Sequence, residues 1–198
     1  GSVRLVENMV GLFMDKPFTG LEFQFLATRN EYLTFKEGLD TDPRLTIENE
    51  AFGKVLELIK TTWLEGKSRL TTKTTFRFDT KVEPNKVRYT KPVLVLIDEM
   101  SGSGGDAFPA MMQGMGRAKL MGKRTMGAGG HVVQVPPLPY SGNKLRMTKS
   151  LFYHPNGTPI ENNGATPDFA YEPTRDDFLY GYRGYQGKYL ETLQSMLQ

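Results

Sequence analysis

Val6, Met9, Val10 and Phe13 fall at three- and four-residue intervals, a spacing that predicts an amphipathic helix running out near Asp15-Lys16-Pro17. Leu21, Phe23, Phe25 and Ala27 then alternate with Glu22, Gln24, Leu26 and Thr28, the two-residue period of a half-buried strand. Between Asn30 and Thr46 the pattern dissolves into charges, Gly38 and Pro43, and reads as a polar stretch. Helical spacing returns with Phe52, Val55, Leu56, Ile59 and Trp63 and stops at Gly66. From Lys67 to Lys91 the chain is rich in Thr, Lys and Arg with little apolar periodicity, which predicts irregular strands or a mobile surface insertion.

Val93-Leu94-Val95-Leu96-Ile97 is continuously apolar, with β-branched Val93, Val95 and Ile97, the signature of a parallel strand covered on both faces. Phe108, Met111, Met112 and Met115 then predict a helix from Asp106 to Met115, with Pro109 expected in its first turn, where a missing N–H costs little. Short strands follow at Ala118–Met121, His131–Val135, Lys144–Lys149 and Leu151–Tyr153, with turns at Ser141-Gly142-Asn143 and Pro155-Asn156-Gly157. Tyr189, Leu190, Leu193 and Leu197 give a closing helix from Tyr185 its apolar stripe. No internal repeat and no second domain boundary is legible, so residues 1–198 read as a single domain.

The composition narrows the chemistry. Across 198 residues, 25 Lys and Arg against 22 Asp and Glu leave only +3, scattered along the chain, which gives no footprint for nucleic acid. With no Cys there are no disulfides, no thiolate-held metal and no thiol catalysis. No apolar run approaches the roughly 18 residues of a membrane span, and no charged-then-apolar start resembles a secretory signal. Gly1-Ser2, with no initiator Met, suggests a fragment or an expression scar.

The most informative segment is Asp98-Glu99-Met100-Ser101-Gly102-Ser103-Gly104-Gly105-Asp106, between the apolar strand and the helix. A Ser at such an elbow presents its hydroxyl beyond the strand's carboxyl end, beside the amides of a helix N-terminus that can stabilise an oxyanion. On spacing alone a plain Gly/Ser connection is the simpler reading. A phosphate loop is excluded: Gly116–Thr125 has five residues between its glycines and Arg124 after Lys123, whereas a Walker A needs four and a Ser or Thr. SGSGGD lacks the dinucleotide spacing, with Ala107 where a third Gly belongs. His131 and His154 are too few for a metal site and read as structural or surface residues. Asn156-Gly157-Thr158 matches a glycan acceptor but reads as a turn, and no carboxylate pair for glycoside chemistry is evident.

From Lys91 to Asp168 these pieces combine in order: VLVLI, SGSGGDAFPAMMQ, GRAKLMGKRTMGAGG and LRMTKSLFYHPNGTPIENNGATPD. This resembles the C-terminal processing (tail-specific) serine protease family. The resemblance implies an α/β fold, a ClpP/crotonase-like superhelix of ββα units, with this chain the C-terminal part of the catalytic domain. Residues 91–170 would carry the protease core, and residues 30–90 a family-variable insertion shaping substrate entry or dimer contacts. It places Ser103 at the nucleophile, ahead of its rival Ser101, gives Gly104 an oxyanion-hole amide, and makes Gly1 a candidate for the second donor. The dyad Lys of the bacterial tail-specific branch is replaced by the Met126-Gly127-Ala128-Gly129 stretch. The chain instead resembles the tricorn core protease and chlamydial protease-like activity factor branch, which uses Ser, His and Glu. Glu161 would be the acid that orients the imidazole.

That His lies N-terminal to this segment in the branch, and this chain has no histidine before His131. The base would come from an N-terminal part of the same protein, leaving this chain alone nearly inactive. His131 is the substitute base only if it reaches about 2.6–3.2 Å from Ser103. The resemblance implies unfolded or C-terminal polypeptide substrates, no metal or organic cofactor and a periplasmic or secreted setting; a homodimer is compatible with it. The rivals are a non-catalytic binding protein on the same fold, or a scaffold assembling through Phe178, Tyr180, Tyr182, Tyr185 and Tyr189.

Overall fold

Alternation builds the first strand as expected: Leu21, Phe23, Phe25 and Ala27 are all buried around β1 (Glu22–Phe25). The computed structural model describes residues 3–41, 49–75 and 81–197. In chain order it contains α1 (Val3–Gly11), β1, α2 (Arg29–Thr41), α3 (Asn49–Glu65), β2 (Thr74–Thr75), β3 (Leu94–Ile97), α4 (Gly104–Gly114) and β4 (Lys119–Gly122). Then follow β5 (Val132–Val135), β6 (Leu145–Thr148), β7 (Ser150–Tyr153), β8 (Phe169–Ala170), α5 (Arg175–Leu179) and α6 (Arg183–Ser195).

The elements fall into two compact units. One comprises residues 1–18, 82–129 and 153–198; the other comprises 19–81 and 130–152. The second unit holds a sheet of order β2-β1-β7 and the β5-β6 antiparallel hairpin. Phe23 and Phe152 meet edge to face at 4.7 Å between ring centroids, and Val55 and Ile59 of α3 are fully buried. Helix α2 lies within the stretch expected to be merely polar. Its signal is Thr28-x-x-Glu31, with Thr28 Oγ1 accepting the Glu31 amide at 3.2 Å, the first half of a capping box. In the Thr-rich stretch, Leu70 bridges Leu26 and Thr71 Oγ1 accepts the Phe25 amide at 3.1 Å, so that part is irregular strand.

The first unit is built on a parallel sheet of order β3-β4-β8, with Leu94 to Ile97 in register with Lys119 to Gly122. Ala107, Ala110, Met111 and Met112 of α4 and Leu120 and Met121 of β4 are buried in its core. Strand β3 is not covered on both faces, contrary to its continuous apolar pattern: Ile97 is buried, but Leu96 is 44% exposed. Helix α4 starts at Gly104, two residues before the expected start, so Pro109 sits in the second turn, where the missing N–H removes a bond to the Gly105 carbonyl. The closing helix is present, yet Leu190 and Leu197 are exposed and the buried residue is Thr192.

Arg117 braces this unit. Its Nε donates to the Phe13 carbonyl (2.6 Å), and Nη2 to the carbonyls of Tyr89 (2.7 Å) and Lys91 (2.8 Å), while the guanidinium lies 5.9 Å from the Phe13 ring centre. A planar five-donor fork suits this use as a lysine could not.

Candidate active site

The parallel strand β3 ends at Ile97, and the chain turns through Asp98–Ser103 into α4. Ser101 is occupied at this turn: its hydroxyl donates to Asp98 Oδ1 at 2.8 Å, while Asp98 Oδ1 also accepts the Met100 amide at 3.0 Å. Ser103, half-buried at the N-cap of α4, has φ 56° and ψ −108°, a conformation that L-residues rarely adopt. Such backbone costs of order 1–3 kcal/mol and persists only where its surroundings hold it.

Those surroundings are specific. The Asp106 carboxylate, fully buried, accepts the Ser103 amide through Oδ2 (2.8 Å), the Gly127 amide through Oδ1 (2.8 Å) and the Ala128 amide through Oδ2 (3.0 Å). Ser103 and Asp106 hold the positions of a capping box. However, the Asp106 amide donates to the Ser103 carbonyl oxygen (3.0 Å), and the Ser103 hydroxyl makes no cap hydrogen bond. The amides of Gly105 and Ala107 are taken by the carbonyls of Gly102 (2.8 Å) and Ser103 (2.9 Å). Among the described residues, the Gly104 amide alone of the first four in α4 has no acceptor, and it sits where a helix N-terminus favours negative charge.

Glu161 lies on a different turn, linked to the elbow through backbone hydrogen bonds. The Met126 amide donates to the Ser101 carbonyl (2.9 Å), and the Asn162 amide donates to the Gly127 carbonyl (2.8 Å), so the 126–129 stretch is joined to both the elbow and the Glu161 turn. Glycine is required here. A Cβ on Gly129 would lie 2.6 Å from the Glu161 nitrogen and the Ile160 side chain, and Gly127, at φ +78°, would bring one to 3.1 Å from Asn162 backbone.

Other family-motif polar residues prove to be clamps. Arg124 Nη1 donates to the carbonyls of Asn162 (3.3 Å) and Asn163 (2.9 Å), and buried Thr125 Oγ1 accepts the Ala165 amide (2.7 Å). Asp168 accepts the Leu120 amide (2.8 Å), Gln113 Nε2 (2.9 Å) and Lys119 Nζ (2.9 Å). Its burial alone would raise its pKa, but the Leu120 amide with Lys119 and Gln113 keeps it below the usual carboxylate value.

Of the sequence-predicted residues, Ser103, Gly104 and Glu161 lie in the first unit, their turns joined through residues 126–129. Gly1 lies outside the described residues. His131 belongs to the other unit, before β5; its amide donates to Ser150 Oγ (3.0 Å) and its ring centroid is 6.5 Å from that of Phe35. The residue is exposed as a whole, yet desolvation of its ring pushes its pKa below 6.5 against the attraction of Glu31. His154 Nε2 lies 2.8 Å from the Gly164 carbonyl, and burial depresses its pKa likewise. The residue that sequence reading passed over is Asp106; its only signal was the Ser-x-x-Asp spacing of a cap. A groove of about 570 Å³, lined by Met100, Lys123, Phe178, Tyr182 and Tyr185 among others, opens at the end of β3, with neither Ser103 nor Glu161 in its wall. The described residues hold no cluster of His, Cys, Asp and Glu fit for a metal ion.

A parallel strand turning through a strained serine into a helix N-terminus is an α/β arrangement that leaves the serine beyond the strand's carboxyl end. The chain belongs to peptidase family S41, whose model matches residues 34–171, and this bears out the resemblance read from the sequence. An uncharacterized protein of Chlamydia muridarum is 30% identical over 219 aligned residues, covering all of this chain and 36% of that protein. A carboxy-terminal-processing protease of Bartonella bacilliformis is 35% identical over 106 residues, 54% of this chain and 24% of the relative. The solved structure of mature CPAF complexed with lactacystin matches with a TM-score of 0.76 at 26% identity, covering 100% of this chain and 41% of that one. The chain thus spans about a third of the length of the curated relatives it matches most fully.

Proposed function

We propose that this chain carries the nucleophile and acid of a serine endopeptidase that hydrolyses peptide bonds through an acyl-enzyme. Ser103 Oγ attacks the scissile carbonyl, and the Gly104 amide, with a second donor that the family resemblance assigns to Gly1, receives the developing oxyanion. Glu161 orients an imidazole that takes the Ser103 proton and returns it to the leaving amine. That imidazole comes from a part of the protein N-terminal to this chain. Unfolded or C-terminal polypeptide segments are the substrates, residues 30–90 act as a family-variable insertion, and the setting is periplasmic or secreted. The observation that carries the reading is the positive-φ serine beside an unclaimed helix-terminal amide.

The test is fluorophosphonate labelling of the full-length protein, mapped by peptide mass spectrometry, beside this chain alone. Labelling of Ser103 in the full-length protein, lost in Ser103→Ala, is expected. The isolated chain should label at a rate lower by about 10³-fold or more, because removing a triad member leaves only residual catalysis. Full-length Ser103→Ala that still cleaves unfolded protein would sink the proposal.

A further inference from the structure

Asp106 touches neither the open amide of Gly104 nor, on the reading above, any reacting atom, yet three facts centre on it. It is a carboxylate with no exposed surface whose hydrogen-bond partners are three backbone amides, at 2.8, 2.8 and 3.0 Å. One of those amides belongs to Ser103, the residue at φ 56°. The other two belong to Gly127 and Ala128, and the Gly127 carbonyl in turn accepts the amide of Asn162, next to Glu161. A single side chain therefore spans the turn of the nucleophile and the segment that holds the turn of the acid.

We infer that Asp106 is the positioning residue of the site. By accepting the Ser103 amide it holds the serine in its strained conformation and withdraws that amide from competition with Gly104 for an oxyanion. Through Gly127 and Ala128 it fixes the spacing of the nucleophile turn against the Glu161 turn. Its negative charge is met by three amides and by the first turn of α4, where an anion is favoured. His154 feels this charge and lies in the same unit. The inference rests on Ser103 being the nucleophile.

Asp106→Asn in the full-length protein tests it. Oδ2 takes two amides and Oδ1 one, so either orientation of the new amide group turns an NH₂ toward at least one N–H. The expected result is a fall of about 10²-fold in the maximal rate of fluorophosphonate acylation at Ser103, with inhibitor affinity and circular dichroism retained, since misplacement by about 1 Å costs that much. Asp168→Asn is the control: it loses comparable hydrogen bonds to β4 and should lower the melting temperature without changing the acylation rate per folded molecule. If Asp106→Asn does not fold, Asp106→Glu, which keeps the charge and displaces it by one methylene, is read in the same way. Hydrogen exchange on the unsubstituted protein needs no variant: the amides of Ser103, Gly127 and Ala128 should exchange more slowly than that of Gly104. Acylation by either folded variant within about twofold of the unsubstituted rate, or exchange at Ser103 as fast as at Gly104, overturns the inference alone. Absence of label on Ser103 in the unsubstituted protein overturns the nucleophile reading, and this inference with it.

Discussion

Two helices in the first unit begin with the same spelling, a hydroxyl residue followed three positions later by Asp, and they use it differently. At α5, Thr174 has ordinary extended backbone (φ −84°, ψ 166°), its Oγ1 accepts the Asp177 amide (3.2 Å), and Asp177 Oδ2 accepts the Thr174 amide (2.8 Å). That is a completed reciprocal cap. At α4 the carboxylate arm is kept while Ser103 has φ 56°, and its hydroxyl contributes no cap bond. The two ends differ in the backbone conformation of the hydroxyl residue and in whether its side chain makes a cap hydrogen bond. The helix end that gives up half its cap is the one where a family nucleophile is expected.

The comparison breaks most severely at the two carboxylates. Asp106→Ala would strand three buried amides, each costing about 1–3 kcal/mol when unsatisfied, and a loss on the order of 3–5 kcal/mol is expected, read as the shift of a urea midpoint. Asp177→Ala should instead loosen α5 and the start of α6 locally. Asp177 accepts from Tyr171 Oη (2.7 Å), Thr174 and the Tyr185 amide (2.8 Å), all near the end of the chain. Hydrogen exchange would show that loosening with little change in the global midpoint. Equal global losses would mean that the α4 junction is no more central than the α5 cap.

A smaller, opposite-signed pair sharpens the point. Thr174→Ala removes a working cap and should cost about 1 kcal/mol. Ser103→Gly removes no cap bond and replaces a strained residue with one at ease at positive φ, so it should stabilise by a few tenths to about 1 kcal/mol while abolishing labelling. Calorimetry on the two variants gives both signs; destabilisation by Ser103→Gly would show that the hydroxyl has a structural role.

How much of this was legible follows from the same contrast. The parallel strand, the glycine-rich turn and the helix of Phe108, Met111 and Met112 were visible because their spacing reports directly which side is buried. Gly127 and Gly129 were visible only as a glycine-rich run; the need for them is a close approach to residues 160–162 that no local pattern encodes. Helix α2 was missed because its register rests on a Thr28 cap more than on an apolar stripe, and Leu33 on it is exposed. Exposure of Leu96 was missed because an apolar strand reports what its faces would tolerate, not what lies against them. Asp106 was hidden for a related reason: two of its three partners are 21 and 22 residues away, and all three are backbone amides, which carry no sequence signature.

The weakest expected difference between the two helix ends lies in pH. Asp177 is held near a pKa of about 2, against an ordinary 3.8, first by the Tyr171 hydroxyl and then by the Thr174 and Tyr185 amides; the same bond pushes Tyr171 up to about 12. A carboxylate depressed on folding stabilises above its unfolded pKa, and that contribution disappears as pH falls from about 4 to about 2. A phenol raised on folding acts in the other direction, stabilising below pH 10 and losing that contribution as pH rises through about 12. Near α4 the titrating neighbour is His154, whose depressed pKa means that the unfolded chain takes up the proton first, so stability there declines as pH drops below 6.5. Acidification should therefore weaken the α4 region before the α5 cap. Tyr171→Phe removes the largest contribution to the Asp177 shift and leaves the amides in place. The α5 acid transition should accordingly move up toward, but not reach, pH 3.8, followed by near-ultraviolet circular dichroism of the remaining tyrosines. An unmoved transition would assign the low pKa to the cap amides alone and make the two helix ends more alike than their hydroxyls suggest.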